Sequence, residues 1–492
     1  MESEANGVAP ASPVAKEVTS RGRRRFDLGG VVGLVVALIG VVVGAQRLSD
    51  NSFFTHLATG REMVANGFVH QDVFTWTSQG RDLVVQSWLA SLVYGLVEGA
   101  FGFAGLRVLT GVLAGLLAWL VWQLGDSAPS LHTRLLVTAP VLVIAAGMWS
   151  ERPLLMALVL FAITLRMVRG GGRLVSLMIV GFLWIGVHGS WPLGIVLLLA
   201  RAVGGRVDGE TDTRDLRAAG WLAAGILAGG ILNPYGLRLL MFPFGLLGRG
   251  AILSHVVEWQ SPSFDALYAR AFLAVIILMI VAITKRWSWR NLLPAIVFLA
   301  AALVSRRNIS VAALVAIPVM ADGLPPLGRL AANEASAVVH RLGLVMLTVV
   351  AVSPILVVRA PNVDLSRYPV EAVNALEAAG MSPVETHVLH PDFVGNYLEL
   401  RYGGSGAAWL DDRYELHESS LMDDYLVLFE AGRGWSDVLD RSGGEAMIWP
   451  TDHPLTQLVS DVAGWPTVWS DSDWTVLCDP TSAACRSIQG QG

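Results

Sequence analysis

The residues best equipped for chemistry fall into three groups. Four acids, Asp50, Asp72, Glu151 and Glu258, stand beside turns or at the ends of apolar runs. A carboxylate so placed can take a proton from an attacking hydroxyl. Three imidazoles, His56, His188 and His255, occupy similar positions, and Arg152, Arg306 and Arg307 supply guanidinium groups. Arginine matches phosphate oxygens with its planar fork of donors. An acid to deprotonate an acceptor and arginines to stabilise a departing phosphate suit chemistry on an anionic, phosphate-linked donor. Each has an ordinary alternative. Asp50 or Ser52 reads as the cap of a helix over Ser52–Ala65 that Asn66-Gly67 ends, and Arg306 and Arg307 read as arginines snorkelling to lipid headgroups.

Other chemistries find less support. There is no GxxxxGK[ST] and no Gly-rich strand–helix junction of the dinucleotide type. Nucleic acid is not expected as a partner, since the basic run Arg21-Gly22-Arg23-Arg24-Arg25 is short and stands alone. A divalent cation (Mg or Mn) on Asp50 and Asp72 stays open, although no compact His/Cys/Asp spacing argues for one.

Positioning these residues falls to apolar stretches. Of 492 residues 53% are hydrophobic and 15% charged, and the mean hydropathy is +0.55. Runs such as Val31–Ala45 and Gly343–Val358 have no polar face, a pattern that fits hydrocarbon on all sides. The expected fold class is therefore an all-α polytopic membrane bundle of about 11 transmembrane helices with a small C-terminal extracytoplasmic α/β domain. The expected divisions are a disordered cytoplasmic N-terminus over 1–26, a transmembrane domain over 27–358, and a soluble α/β domain over 359–492. The transmembrane domain includes an outer loop, 47–103, with an interfacial helix over 86–101. Arginines such as Arg134, Arg169, Arg173, Arg201 and Arg290 fall on the same side, which the positive-inside rule makes cytoplasmic. An odd number of spans then puts the last domain outside.

In that domain Thr386–Leu389, Ala407–Leu410, Ala446–Trp449, Thr467–Trp469 and Trp474–Cys478 read as strands. Val370–Ala379, Phe393–Arg401, Leu421–Phe429 and Trp435–Leu439 read as helices. Asp411, Asp412 and Arg413 follow a strand end, a common place for binding residues and equally a place where such residues cap the next turn; Asp411 and Arg413 are candidates for acceptor recognition or a domain interface. Cys478 and Cys485 are a disulfide candidate if the domain faces an oxidising compartment.

The stretch from Asp50 to Leu89, with its D…HLATG…NGFVHQDVFTWTSQG…SWL pattern, resembles the first outer loop of bacterial multi-pass membrane glycosyltransferase-like proteins. Their layout is that of the GT-C superfamily, which includes polyprenyl-phosphate-sugar-dependent mannosyl and aminoarabinose transferases. Glu151-Arg152-Pro153, His188-Gly189, Asn233-Pro234-Tyr235-Gly236, Glu258-Trp259, Arg306-Arg307-Asn308, Gly395-Asn396-Tyr397-Leu398 and Leu410-Asp411-Asp412-Arg413 extend the resemblance over nearly the whole chain. It implies a transferase that moves a sugar from a polyprenyl-phosphate-linked donor to an envelope glycan, lipid or protein. It also implies membrane lipids and envelope proteins as partners and a bacterial plasma-membrane location. Asp50 would be the base, Asp72 a second acid or metal ligand, and Arg306, Arg307 and Arg152 the phosphate contacts. Two departures stand out: Ser87 where an acid is expected before Trp88-Leu89, and Asp412 where the pattern has glycine. Two other functions fit the same residues: a transporter or flippase of a lipid-linked or polar solute, and a non-catalytic envelope scaffold.

Overall fold

The computed structural model describes residues 28–247, 257–328, 337–358 and 361–489. The expected disordered segment 1–26 and His255 lie outside them. Helix α1 (Leu28–Gly44) runs along α3 (Trp88–Leu124), and α2 (Asn51–Asn66) lies on the start of α3. Glycine permits both contacts. A Cβ on Gly60 would stand 2.0 Å from the Ser91 carbonyl oxygen, and one on Gly40 would stand 2.9 Å from that of Ala114. Helix α3 breaks at Gly102 (φ 63), so the part that carries α2 is set off from the part that carries α1.

The bundle continues through α4 (Leu131–Met148), α5 (Pro153–Arg169), α6 (Leu177–Val187), α7 (Trp191–Val207), α8 (Arg214–Ile231) and α9 (Leu237–Leu247). Then follow α10 (Leu267–Ile283), α11 (Trp289–Val304), α12 (Ile309–Gly323) and α13 (Ala337–Val358). Local chemistry sets several starts. The Ser130 hydroxyl accepts from the Thr133 N–H at 3.2 Å to cap α4, and Pro153 opens α5, where its missing N–H has no cost. Helix α12 is buried on every side from Ile309 to Ala321 and forms the middle of the core.

The membrane expectation requires correction. Among the described residues only Trp88–Leu124 and Leu131–Met148 are long and apolar enough to cross a membrane, and the core helix of a soluble protein passes the same test of length and composition. Leu267–Ile283 and Trp289–Val304 are apolar but have 17 and 16 residues. At 1.5 Å per residue such a helix reaches about 25 Å, short of the roughly 30 Å of hydrocarbon. The eleven-span polytopic bundle and the multi-pass plasma-membrane placement are thus overturned, and the inside and outside assignments that rested on them fall too. Apolar side chains are nonetheless exposed on outward helix faces, Ile179, Leu227, Ile277 and Val304 among them.

After the bundle come α14 (Val370–Ala378), β1 (Val388–Leu389), α15 (Asp392–Tyr402), α16 (Ser419–Phe429) and α17 (Trp435–Arg441). The chain ends with β2 (Ala446–Pro450), α18 (Pro454–Asp461), β3 (Thr467–Ser470), β4 (Trp474–Cys478) and α19 (Ala483–Gln489). The strands form a mixed sheet in the order β1-β2-β4-β3, with β1 parallel to β2 and the other pairs antiparallel. Cys478 and Cys485 form a disulfide across a Cα–Cα distance of 5.6 Å.

Segment 407–410, expected as a strand of this sheet, pairs with the first long loop. Trp76 N–H donates to the Ala408 carbonyl at 2.9 Å, and Ala408 N–H donates to that of Phe74 at 3.2 Å. Phe53, Phe54 and Leu57 of α2 share one buried cluster with Tyr368, Val373, Val388 and Tyr397. The α/β part is therefore fastened to the start of the bundle by strand pairing and a common core, which fixes 410–413 against α2.

Candidate functional site

Residues from stretches far apart in the chain meet at a cavity of about 190 Å³. Helix α2 contributes Ser52, Thr55, His56 and Thr59, spaced three or four apart and so on one helix face. Arg152 comes from the turn before α5, His188 from the end of α6, and Glu258 and Arg307 from the two 3-10 turns Val257–Trp259 and Arg306–Asn308. Asp412 and Arg413 come from the α/β part.

Asp50 stands at the N-cap position of α2, but its side chain makes no cap bond. Arg152 Nε donates to both of its oxygens at 2.6 Å. Glu151 ties down the chain as it enters α2, its carboxylate accepting from the N–H groups of Ser49 and Asp50 at 2.5 and 2.7 Å. Burial raises the Glu151 pKa against those bonds. Arg152 also donates through Nη1 to Glu258. Burial opposes its charge, but Asp50 and Glu258 outweigh that and raise its pKa.

Both cavity histidines are neutral at pH 7. Burial and then Arg152 hold His56 down to about 4, and burial and then Arg307 hold His188 at about 3. His56 Nδ1 lies 3.2 Å from Ser91 Oγ, and His188 Nδ1 accepts from the Ser190 N–H at 3.1 Å. The Arg307 guanidinium lies over the Trp259 ring, 4.3 Å from its centre. Burial lowers its pKa, with Glu258 opposing. Arg306 lies outside the cavity lining; its N–H donates to the Gln260 carbonyl at 2.9 Å.

Asp412, which the sequence places with Asp411 and Arg413 after a strand end as a binding candidate and not as a base, lines the cavity. Ser52 Oγ donates to its Oδ2, and its own N–H donates to Asn396 Oδ1 at 3.2 Å. Burial pushes its carboxyl up to about 6, against the Ser52 bond that favours the charged form. The available signal was an acid at the place where the resembled motif has glycine.

Asp72, Asp411 and Arg413 form a second, buried cluster with Glu399. Arg413 Nη2 reaches Asp72 Oδ1 at 3.1 Å, Glu399 Oε1 at 2.8 Å and Asp411 Oδ2. Asp72 also accepts from the Thr75 N–H and hydroxyl at 3.0 and 2.6 Å, and it does not line the cavity. Burial raises the Glu399 pKa well above the usual carboxyl range, with Arg413 opposing. Sequence reasoning passed over Glu399, an acid within a short apolar helix pattern. Of the two acids considered for a cation, Asp50 bonds to Arg152 and Asp72 to Arg413. Among the described residues no cluster of three His, Cys, Asp or Glu is arranged to hold a metal ion.

No known family model matches the chain, and no curated protein does either. Function therefore has to be read from the cavity itself. Two buried polar atoms on residues that line it, Thr55 Oγ1 and Arg413 Nη1, have no hydrogen-bond partner among the described residues. Such atoms cost about 1–3 kcal/mol when left unpaired.

Proposed function

We propose that this protein transfers a sugar from a phosphate-linked donor to an acceptor hydroxyl. Polyprenyl phosphate is the carrier and an envelope glycan, lipid or protein the acceptor, in line with the resemblance drawn from the sequence motifs.

The observation that carries this reading is Arg307. It borders the cavity, and among the described residues no carboxylate forms an ion pair with it, whereas Arg152 and Arg413 are both matched by acids. A guanidinium in that condition suits an incoming phosphate. Asp412, with its raised pKa, supplies a base on the same cavity. In the reaction the acceptor O–H gives its proton to Asp412, and the acceptor oxygen bonds to the anomeric carbon. The bond from that carbon to the phosphate oxygen breaks, and its electron pair leaves on the phosphate. Arg307 and Arg152 stabilise that charge where it develops. Asp50, held on both oxygens, orients Arg152 instead of acting as base.

The test is sugar transfer from polyprenyl-phosphate donors in wild type and Arg307→Ala. Transfer should fall by at least about 100-fold. A wild-type rate in a folded Arg307→Ala protein would remove the basis of the proposal.

A further inference from the structure

Glu258 stands where an anion would bind. Its carboxylate takes the Nη1 donor of Arg152, although Asp50 already holds the Nε of the same guanidinium. Its charge also acts on Arg307, whose guanidinium lies on the adjacent residue, Trp259. Ser305 Oγ donates to the Glu258 carbonyl at 3.1 Å, so the turn bearing the acid is tied to the turn bearing Arg307. The two acids on Arg152 differ in exposure. The Asp50 side chain is 12% exposed and that of Glu258 41%, so Glu258 is the one with open space to turn into.

We propose that Glu258 is the internal counter-ion of Arg152: its carboxylate occupies the anion position on Arg152, next to Arg307, which is unmatched among the described residues, and it swings aside when a phosphate group enters. The inference rests on the donor reading of the preceding subsection. A carboxylate and a phosphate cannot share one pair of arginines without like-charge repulsion at close range. Removing the carboxylate should therefore strengthen phosphate binding. A residue that helped to hold the ligand would show the opposite sign.

The experiment is calorimetric titration of the full chain with inorganic phosphate and with dodecyl phosphate. Glu258→Gln should bind both about tenfold more tightly than wild type, and Glu258→Ala should shift in the same direction, which guards against a rearrangement caused by the amide. Arg307→Ala should bind both more weakly. Unchanged or weaker binding in both Glu258 variants, with Arg307→Ala weakened, overturns the counter-ion and leaves the donor reading intact. Unaltered binding in Arg307→Ala overturns the donor reading itself. Tighter binding of dodecyl phosphate than of inorganic phosphate assigns the anion to a lipid carrier, and equal binding assigns it to free phosphate; the Glu258 effect holds in either case.

Discussion

Arg152 Nε lies 2.6 Å from each carboxylate oxygen of Asp50. Both oxygens of Asp50 are thus taken up by the guanidinium, whereas burial pushes the Asp412 carboxyl up to about 6. Asp412→Asn is expected to lower kcat for sugar transfer by about 100-fold or more, the usual worth of a general base. Asp50→Asn should cost less and act through the placement of Arg152, so its loss should appear largely as weaker phosphate binding. Steady-state kinetics of the two variants separate the roles.

The same pKa sets a pH profile. Protonated Asp412 cannot accept the acceptor's proton, so kcat should fall about tenfold per unit as pH drops below about 6 and level off above it. Asp412→Asn should flatten that limb. A rising limb that survives in the variant would assign the titration to another group.

Stability should also respond to pH through the two cavity histidines. His56 at about 4 and His188 at about 3 lie below the 6.5 of a free imidazole, so the unfolded chain takes up their protons first. Their contribution is present above pH 6.5 and is lost as pH falls below it. Asp412 and Glu399, whose pKa values are raised by burial, act in the opposite sense over part of the same range. The histidine part is therefore read as a difference: between pH 7 and pH 5 the melting temperature of wild type should fall more than that of His188→Gln.

Local features of the site were legible in the sequence, and its pairings were not. The Glu151-Arg152-Pro153 turn, the start of α2 after Asp50, and the helix and strand positions near β1, β2 and β4 all follow from caps, prolines and residue periodicity. Asp50 and Arg152, however, are about a hundred residues apart, and Asp72 and Arg413 more than three hundred. Nothing local shows which charges will be matched in the folded chain, so Asp50 reads as a free base and Asp412 as a departure from the glycine of the resembled motif. Apolar runs misled in another way. All-round hydrophobicity does not show what covers a helix: α12 is covered by the rest of the protein, whereas Ile39 and Val43 of α1 are exposed.

The cluster around Arg413 permits a contrast between two substitutions. Arg413→Ala leaves Asp72, Glu399 and Asp411, each fully buried, without their cation, and should destabilise the fold by about 3–5 kcal/mol. Glu399→Gln should be close to neutral at pH 7, because burial already favours the uncharged acid, which the amide resembles. Denaturant titration of the two variants checks both outcomes. A large loss in Glu399→Gln would mean that the carboxylate is charged in the native protein.

Gly395 links packing to the proposed chemistry. A Cβ there would stand 1.9 Å from the Leu410 carbonyl oxygen, a backbone atom that cannot rotate away. Helix α15 and the segment 410–412 would have to separate, at a cost of about 1–3 kcal/mol. The displaced segment carries Asp412, and the neighbouring Asn396 accepts the Asp412 N–H. Arg152 and Arg307 lie on other stretches and would stay in place. Gly395→Ala should therefore lower both the melting temperature and kcat while leaving inorganic phosphate binding near the wild-type value. Loss of phosphate binding in parallel with kcat would show that the base and the anion-binding arginines move as one unit.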